Sequence, residues 1–357
     1  MRRSFDDMED GDNCKDWFEE QFGFVETAGN IQEFFQFDVA RKELKSSKIG
    51  KSFLVGEFET PSVFELQEKI ESLSPLLPNL GCLSFENIIG DATELHLAKE
   101  NAGSVFQVAS QFNCLEMTGP KMTPEMGITI YENDRTQGPR CAMACPAATV
   151  FRNYFWNGRG QVGGNTQQIN TAKDLDALLG NEKGKYWSIQ NGYMMPSTPE
   201  SMKEIGEKIS EDECLRENIF LGGRVGVQWS TEVATGDHCV TQVFCSAVPI
   251  TYSQTGRGTK PRDWRPLAEI ILESAYQATL LTGAILAAKQ GKRVSVFLTM
   301  LGGGAFGNPG PWICAAMKKA LLANLDKPLD VKLVNYGRIP SDNFVMLEQV
   351  VKDKTSD

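Results

Sequence analysis

Val294-Ser295-Val296-Phe297-Leu298-Thr299-Met300 runs directly into Leu301-Gly302-Gly303-Gly304-Ala305-Phe306-Gly307-Asn308. The first seven residues are mostly β-branched or apolar, which predicts a buried strand. The glycines that follow let the backbone turn tightly and approach a ligand closely. Pro309 and Pro311 then suit the first turn of a helix. Strand, tight turn and helix N-terminus, in that order, make an anion site because unpaired N–H groups point outward from the turn. The stretch is not a P-loop, since no Gly-Lys-Ser/Thr closes it, and it lacks G-x-G-x-x-G spacing. Glycines kept only for close packing would have the same composition; it is the order of elements that argues for the anion site.

The same alternation extends on both sides. Upstream, Leu267–Lys289 reads as a long helix, apolar at Leu267, Ile270, Ile271, Ala275, Ala278, Leu281 and Ile285. Strands are predicted over Phe85–Ile89, Ser104–Ala109, Val225–Val227 and Val240–Val248, and downstream a helix over Pro311–Leu325 precedes a strand over Val331–Tyr336. Such a pattern predicts an α/β sheet covered by helices, with ligands at the strand ends. After Asn113 comes a loop of roughly thirty residues, a length uncommon unless functional, before a helix over Ala147–Phe155. Gly163-Gly164-Asn165 with Gln167-Gln168 reads as a further hairpin or loop. Nearer the start, Lys51–Phe58 is strand-like and Thr60-Pro61-Ser62 opens a helix with a Ser62-x-x-Glu65 capping box. Residues 1–27, acidic and dotted with aromatics, predict a loosely docked tail, and the charged last residues predict a frayed end.

At 357 residues, with 41% hydrophobic and 23% charged, the chain has an ordinary globular composition, enough for one large domain or two small ones. No uninterrupted apolar run reaches the roughly 18 residues of a membrane span. Met1-Arg2-Arg3-Ser4 leads into acidic residues rather than an apolar signal region, so a cytoplasmic protein without a membrane partner is expected. The balance of 36 basic against 46 acidic residues, net −10, disfavours nucleic acid as a partner. Backbone N–H groups can still hold a small anion. Nine cysteines lack paired zinc spacing and read as reduced and structural, and two histidines, His96 and His238, preclude a multi-His metal centre. No metal and no cofactor is expected; carboxylates, amides and glycines must carry any chemistry.

The glycine turn resembles the second phosphate loop of macrodomains, the ADP-ribose-binding modules, where a strand ends in Ser-x-Gly-Ile-Phe/Tyr-Gly. Gly90-Asp91-Ala92-Thr93 is similar to the macrodomain Gly-Asp-Ile-Thr, and Val105–Asn113 resembles the strand written Ala-Ile-Val-Asn-Ala-Ala-Asn. Gly226–Ile250 resembles the central strand before the long helix, and Val331–Tyr336 the late Val-x-Leu-Val strand. The usual Gly-Gly-Gly-Val after the Asn is replaced by Cys114-Leu115-Glu116-Met117 and a loop through Tyr131–Arg140. That Gln-Phe-Asn-x-Leu-Glu segment with Glu-Asn-Asp-x-Thr-Gln-Gly-Pro looks like the MavL-like class of macrodomain hydrolases, which remove ADP-ribose from arginine. The resemblance implies a three-layer α/β/α mixed sheet flanked by helices. It also implies an N-terminal extension over 1–45, an elaborated macrodomain over 46–345 with its core at about 80–340, and a tail over 346–357.

It further implies ADP-ribose and mono-ADP-ribosylated proteins as partners, and residues to hold them. Asp91 would meet adenine, Gly303, Gly304, Ala305 and Gly307 would hold the diphosphate, Phe306 and Asn113 would hold the distal ribose, and Gln111, Gly302 and Asn308 are further ligand-binding candidates. Breaking a glycosidic bond at an anomeric carbon needs a carboxylate to stabilise an oxocarbenium-like state or activate water. Glu116, Glu125, Glu132 and Asp134 crowd the long loop. Asp134, flanked by Asn133 and Gln137, polar groups able to fix a ribose hydroxyl, is the first catalytic candidate, Glu132 the second, and Glu116 a third that orients the loop or binds ribose. A non-catalytic reader of ADP-ribosylated proteins is the alternative, which would not require the acidic loop. Cys114 lacks a nearby histidine base and is not read as a nucleophile.

Overall fold

A computed structural model describes residues 15–77, 79–337 and 341–355. Its main sheet has seven strands in the spatial order Glu57–Glu59, Gly226–Glu232, Cys239–Cys245, Val105–Ala109, Val294–Leu298, Leu329–Asn335, Ser84–Ile89. The last five run parallel, and the first two pair antiparallel at one edge. Val105, Val243, Cys245, Val296, Leu298, Val331 and Leu333 face the long helix Pro261–Gln290 and the helices Val63–Leu73, Gly310–Ala323 and Asp342–Thr355. On the opposite face Phe106, Phe297 and Val240 meet Cys145 and Ala148, while Val108 and Phe244 meet Cys114 and Cys141. The architecture is therefore three-layer α/β/α with a mixed sheet, as expected.

Local signals hold where they are strongest. Ser62 and Glu65 form the reciprocal capping box, and Asp91 caps the helix Ala92–Leu97. Pro261–Gln290 reaches a mean hydropathy of 1.4 over an 18-residue window, enough by length and composition for a membrane span. That window is wholly buried, and the helix is the central column of the core.

Several expectations need correction. Lys51–Phe58 is two strands, Lys51–Leu54 and Glu57–Glu59, separated at Gly56, whose φ is +76°. A Cβ on Gly56 would stand 1.9 Å from the Trp229 carbonyl oxygen, so the chain crosses there by backbone contact. Lys51–Leu54 instead joins Phe35–Asp38 and Glu43–Ser46 in a small antiparallel sheet. The long loop contains a helix, Gln137–Ala144, and the helix expected over Ala147–Phe155 begins at Pro146 and becomes π-helical over Phe151–Phe155. Between residues 170 and 222, where no element was expected, lie three α-helices and the hairpin Trp187–Gln190/Tyr193–Pro196, sharing a second core around Trp187, Met202, Ile205 and Trp264.

Neither end is loose where it is described. The helix Trp17–Phe22 buries Phe18 and Phe22 completely. Phe18, Phe22, Phe24, Phe35 and Phe53 meet largely edge to face, with centroids 4.8–5.4 Å apart for the closest pairs. These rings share one cluster with Leu115, Met117, Ile128 and Tyr131 of the long loop. At the other end Asp342–Thr355 is a helix that buries Phe344, Leu347 and Val351, and Glu348 accepts hydrogen bonds from Asn87 at 2.6 and 2.8 Å. Charged composition had suggested fraying, but the apolar residues recur on one helical face.

Phe18→Ala tests whether the N-terminal segment belongs to the folding unit. Truncating a fully buried ring costs about 3–5 kcal/mol. Urea unfolding should show a single transition displaced by that order, whereas a shift under about 1 kcal/mol would restore the loosely docked tail.

Candidate active site

A cleft of about 790 Å³ crosses the carboxyl ends of the five parallel strands. It opens because two central strands part. Val105–Ala109 and Val294–Leu298 pair only at Val105/Val296 and Phe106/Phe297. Beyond that point the Gln137 side chain stands in for the missing strand. Its Nε2 donates to the Gln107 carbonyl at 2.7 Å, and its Oε1 accepts from the Ala109 N–H at 2.8 Å. Gln137 lines the cleft, but both ends of its amide are committed to backbone, so the expected ribose contact is corrected to a sheet brace. Gly138 lets this helix start press against the strand end: a Cβ would lie 2.2 Å from the Ala109 oxygen and 3.2 Å from Glu116 Cγ.

The glycine turn spans the middle of the cleft, where Gly302, Gly303, Gly304, Ala305, Phe306 and Asn308 all line it. Gly302 has φ +71°, and a Cβ there would strike Ala247 and Asn308 at 2.6 and 2.7 Å. Asn308 is buried and braces the turn, donating from Nδ2 to the Val248 carbonyl at 2.9 Å and from its backbone to the Gly302 carbonyl at 2.9 Å. Gly307 points at Thr251 rather than into the cleft, and its N–H closes onto Gly304, so its expected ligand contact is corrected to a turn role. The N–H groups of Gly304, Ala305 and Phe306 have no acceptor among the described residues, and the space around Gly304 is open. Three consecutive unpaired donors on a turn that lines the cleft are available to an anion.

At one end of the cleft Asp91 stands with Leu95, Val334 and the exposed Tyr336. Its Oδ1 accepts from the N–H groups of Thr93 and Glu94 at 2.8 and 3.2 Å, which fixes the carboxylate at a helix start. At the other end are Gln111, Glu116, Met117, Asp134, Tyr193, Tyr252 and Phe306. The rings of Tyr193, Tyr252 and Phe306 lie 5.3–5.9 Å apart, and the Tyr193 hydroxyl donates to the Met117 carbonyl at 2.8 Å. Gln111 is buried, and its Oε1 has no hydrogen-bond partner among the described residues. Neither tyrosine had been read as a site residue. Asn191-Gly192, the turn of the hairpin that carries Tyr193, was the available signal, since Asn-Gly favours two-residue hairpins.

Glu116 is the most perturbed carboxylate at the cleft. Only 1% exposed, it faces Arg152, 0% exposed, with Nη2 3.3 Å from both carboxylate oxygens. Burial pushes its pKa up to about 7 against the opposing pull of Arg152. The guanidinium lies on the Phe244 ring at 3.7 Å and donates from Nε to the Cys114 carbonyl at 2.9 Å. Asp134 also lines the cleft, its Oδ1 accepting from the Thr136 N–H at 2.8 Å. Glu132 and Asn133 are exposed and lie off the cleft; Glu132 accepts from the Trp17 N–H at 3.5 Å. Asn113 is also corrected: fully buried, it donates to Gln168 at 2.9 Å and accepts from the Leu115 N–H at 3.1 Å. Burial drives the Cys114 thiol far above its ordinary range, consistent with an inert side chain.

No protein-family model and no curated protein matches the chain. Among solved structures it is similar to the poly(ADP-ribose) glycohydrolase of Deinococcus radiodurans in complex with ADP-ribose. The TM-score is 0.44 at 9% identity, over 83% of this chain and 94% of that one. It is also similar to the poly(ADP-ribose) glycohydrolase of Thermomonospora curvata, with TM-score 0.44 and 9% identity over 94% and 97% of the two chains.

Glu116 also predicts a pH dependence of stability. Its carboxyl titrates near 4.5 when unfolded and near 7 when folded, so between those values the native state holds a proton that the unfolded chain has lost. Stability from this group is present below about pH 4.5 and is lost as pH rises through 7. Urea melts of parent and Glu116→Gln should show the parent-minus-variant difference in unfolding free energy falling between pH 5 and pH 7.5. A rising difference would mean that Arg152, not burial, controls the carboxyl.

Proposed function

We propose that the protein is a macrodomain-type ADP-ribosyl hydrolase: it binds ADP-ribose in this cleft and removes mono-ADP-ribose from modified protein side chains, arginine foremost. The observation that carries this reading is the order of groups along the strand ends: Asp91 among apolar side chains, then the unpaired N–H turn, then buried Glu116 beside Asp134. An adenine fits the first, a diphosphate the second, and a reacting ribose the third. The cleft volume lies within the range usual for small-molecule sites. The resemblance of the glycine turn and of Gly90-Asp91-Ala92-Thr93 to macrodomain loops supports the same assignment.

On this reading adenine lies by Asp91, Leu95 and Tyr336, the diphosphate is held by Gly304, Ala305 and Phe306, and the distal ribose rests against Phe306. An arginine-linked guanidinium is already protonated, so the bond from the anomeric carbon to nitrogen breaks with its electron pair passing to a neutral guanidine. Water bonds to the anomeric carbon and gives its proton to the Glu116 carboxylate. Asp134 holds the ribose hydroxyls and stabilises the positive charge that develops on the ring. Cleavage of an arginine linkage therefore requires ionised Glu116.

Binding is tested by calorimetry with ADP-ribose. Gly304→Glu places a carboxylate beside the unpaired N–H groups where open space accepts it, so binding should vanish while the melting temperature of the free protein is kept. Unchanged affinity would remove the turn from the site.

Catalysis is tested on a peptide carrying ADP-ribosyl arginine, beside serine- and glutamate-linked controls. Release should weaken as pH falls through about 7, following ionisation of Glu116. Glu116→Gln and Asp134→Ala should each lose on the order of a hundredfold in turnover, with ADP-ribose still bound. Release from no linkage by the parent protein, with ADP-ribose binding intact, would make it a reader of the modification.

A further inference from the structure

The carboxylate of Glu26 is enclosed by the loop that carries the cleft acids. Oε2 accepts from the Thr129 N–H at 2.7 Å and from its hydroxyl at 2.6 Å, Oε1 accepts from the Tyr154 hydroxyl at 2.6 Å, and both lie 2.9 Å from the Ile128 N–H. Gly127, with φ +84°, makes the approach possible, since a Cβ there would stand 2.5 Å from Oε2. Trp17 adds a hydrogen bond from Nε1 to the Thr129 carbonyl at 3.1 Å. A segment roughly a hundred residues away in sequence thus grips residues 127–129 by charge-assisted bonds, which are about twice as strong as neutral ones.

What it grips leads directly to the two cleft carboxylates. From Thr129 the chain turns through a 3-10 helix to Asn133, and buried Tyr131 is its pivot. The Tyr131 hydroxyl accepts the backbone N–H of Glu116 at 3.2 Å, and its carbonyl accepts the backbone N–H of Asp134 at 3.1 Å. Both acids are therefore held by their backbones to one residue, which the Glu26 clamp holds from the far side. Reactivity is sensitive to such placement, because a shift of about 1 Å at a reacting group can cost on the order of a hundredfold.

We infer that Glu26 is a positioning residue, setting through Ile128–Tyr131 where Glu116 and Asp134 stand in the cleft. The inference rests on the proposed hydrolase reading for its kinetic consequence, but not for its structural one. In Glu26→Gln the side chain keeps its shape but presents an amide donor to two backbone donors. Turnover on the ADP-ribosyl-arginine peptide should fall at least tenfold, while KM and the ADP-ribose Kd stay within twofold. Amide hydrogen exchange over residues 115–136 should quicken at least tenfold, with the strand at 294–298 unchanged. Thr129→Val, which removes the hydroxyl that donates to Glu26 Oε2, should give a smaller change in the same direction. Gln21→Ala, which loosens the same N-terminal segment away from the loop, should change neither reading. Parent-like exchange over 115–136 in Glu26→Gln overturns the inference whether or not the protein turns over. Loss of affinity in proportion to turnover overturns it too. Failure of the parent to release ADP-ribose counts against the hydrolase reading alone, and the exchange result then decides the clamp.

Discussion

The cleft exists because two parallel strands stop pairing. After Phe106 and Phe297, Val105–Ala109 and Val294–Leu298 separate, and buried backbone groups left without partners cost about as much as lost hydrogen bonds. Gln137 meets that cost from one face, satisfying Gln107 and Ala109, and the Gln107 side chain accepts the Thr299 N–H at 3.2 Å. Two amides thus keep the sheet intact around a gap at its ligand-binding edge. The glycine turn, the start of the helix Gln137–Ala144 and Glu116 are all positioned by that gap, which is where open parallel sheets bind ligands.

Glu116 shows how the surrounding core sets chemistry. A buried carboxylate with a buried guanidinium 3.3 Å away is not the short bidentate pair that repays desolvation fully. Arg152 spends its Nε on the Cys114 carbonyl, and its Nη1 has no partner among the described residues. Burial consequently outweighs Arg152, and the carboxyl is pushed up to about 7. Tyr131, Cys114 and Cys141 around it are all pushed toward their neutral forms by burial, so Arg152 is the principal countercharge.

What the sequence disclosed follows the range of the interactions involved. The 294–323 strand, turn and helix and the Ser62 cap are written in residues a few positions apart, and both were legible. Gln137 looked like a ligand amide because nothing local reveals that the sheet splits 28 positions upstream. Asn113 misled for the same reason: its partner, Gln168, lies 55 residues on. Arg152 fell in a stretch read simply as helix, and its link to Glu116 is visible only after folding. The N-terminal phenylalanines were misjudged because acidic neighbours masked an apolar spacing that the cluster of packed rings explains.

Charge is distributed along the cleft in a way that the net balance of −10 hides. Asp91 lies at one end and Glu116 with Asp134 at the other, which leaves the glycine turn free of carboxylates. Arg135 and Arg140 add two cations to the lining, Arg140 on the helix whose backbone meets Thr93 beside Asp91. Fields within a few ångströms outweigh the charge of the whole molecule, and oriented N–H dipoles in a cleft cost no side-chain entropy to hold an anion. Carboxylates confined to the two ends leave the unpaired N–H groups between them without an opposing negative charge. Within the turn, Gly304 is unstrained and uncrowded while Gly302 and Gly307 are tightly packed: the flanking glycines build the turn, and the one between them keeps its surface open.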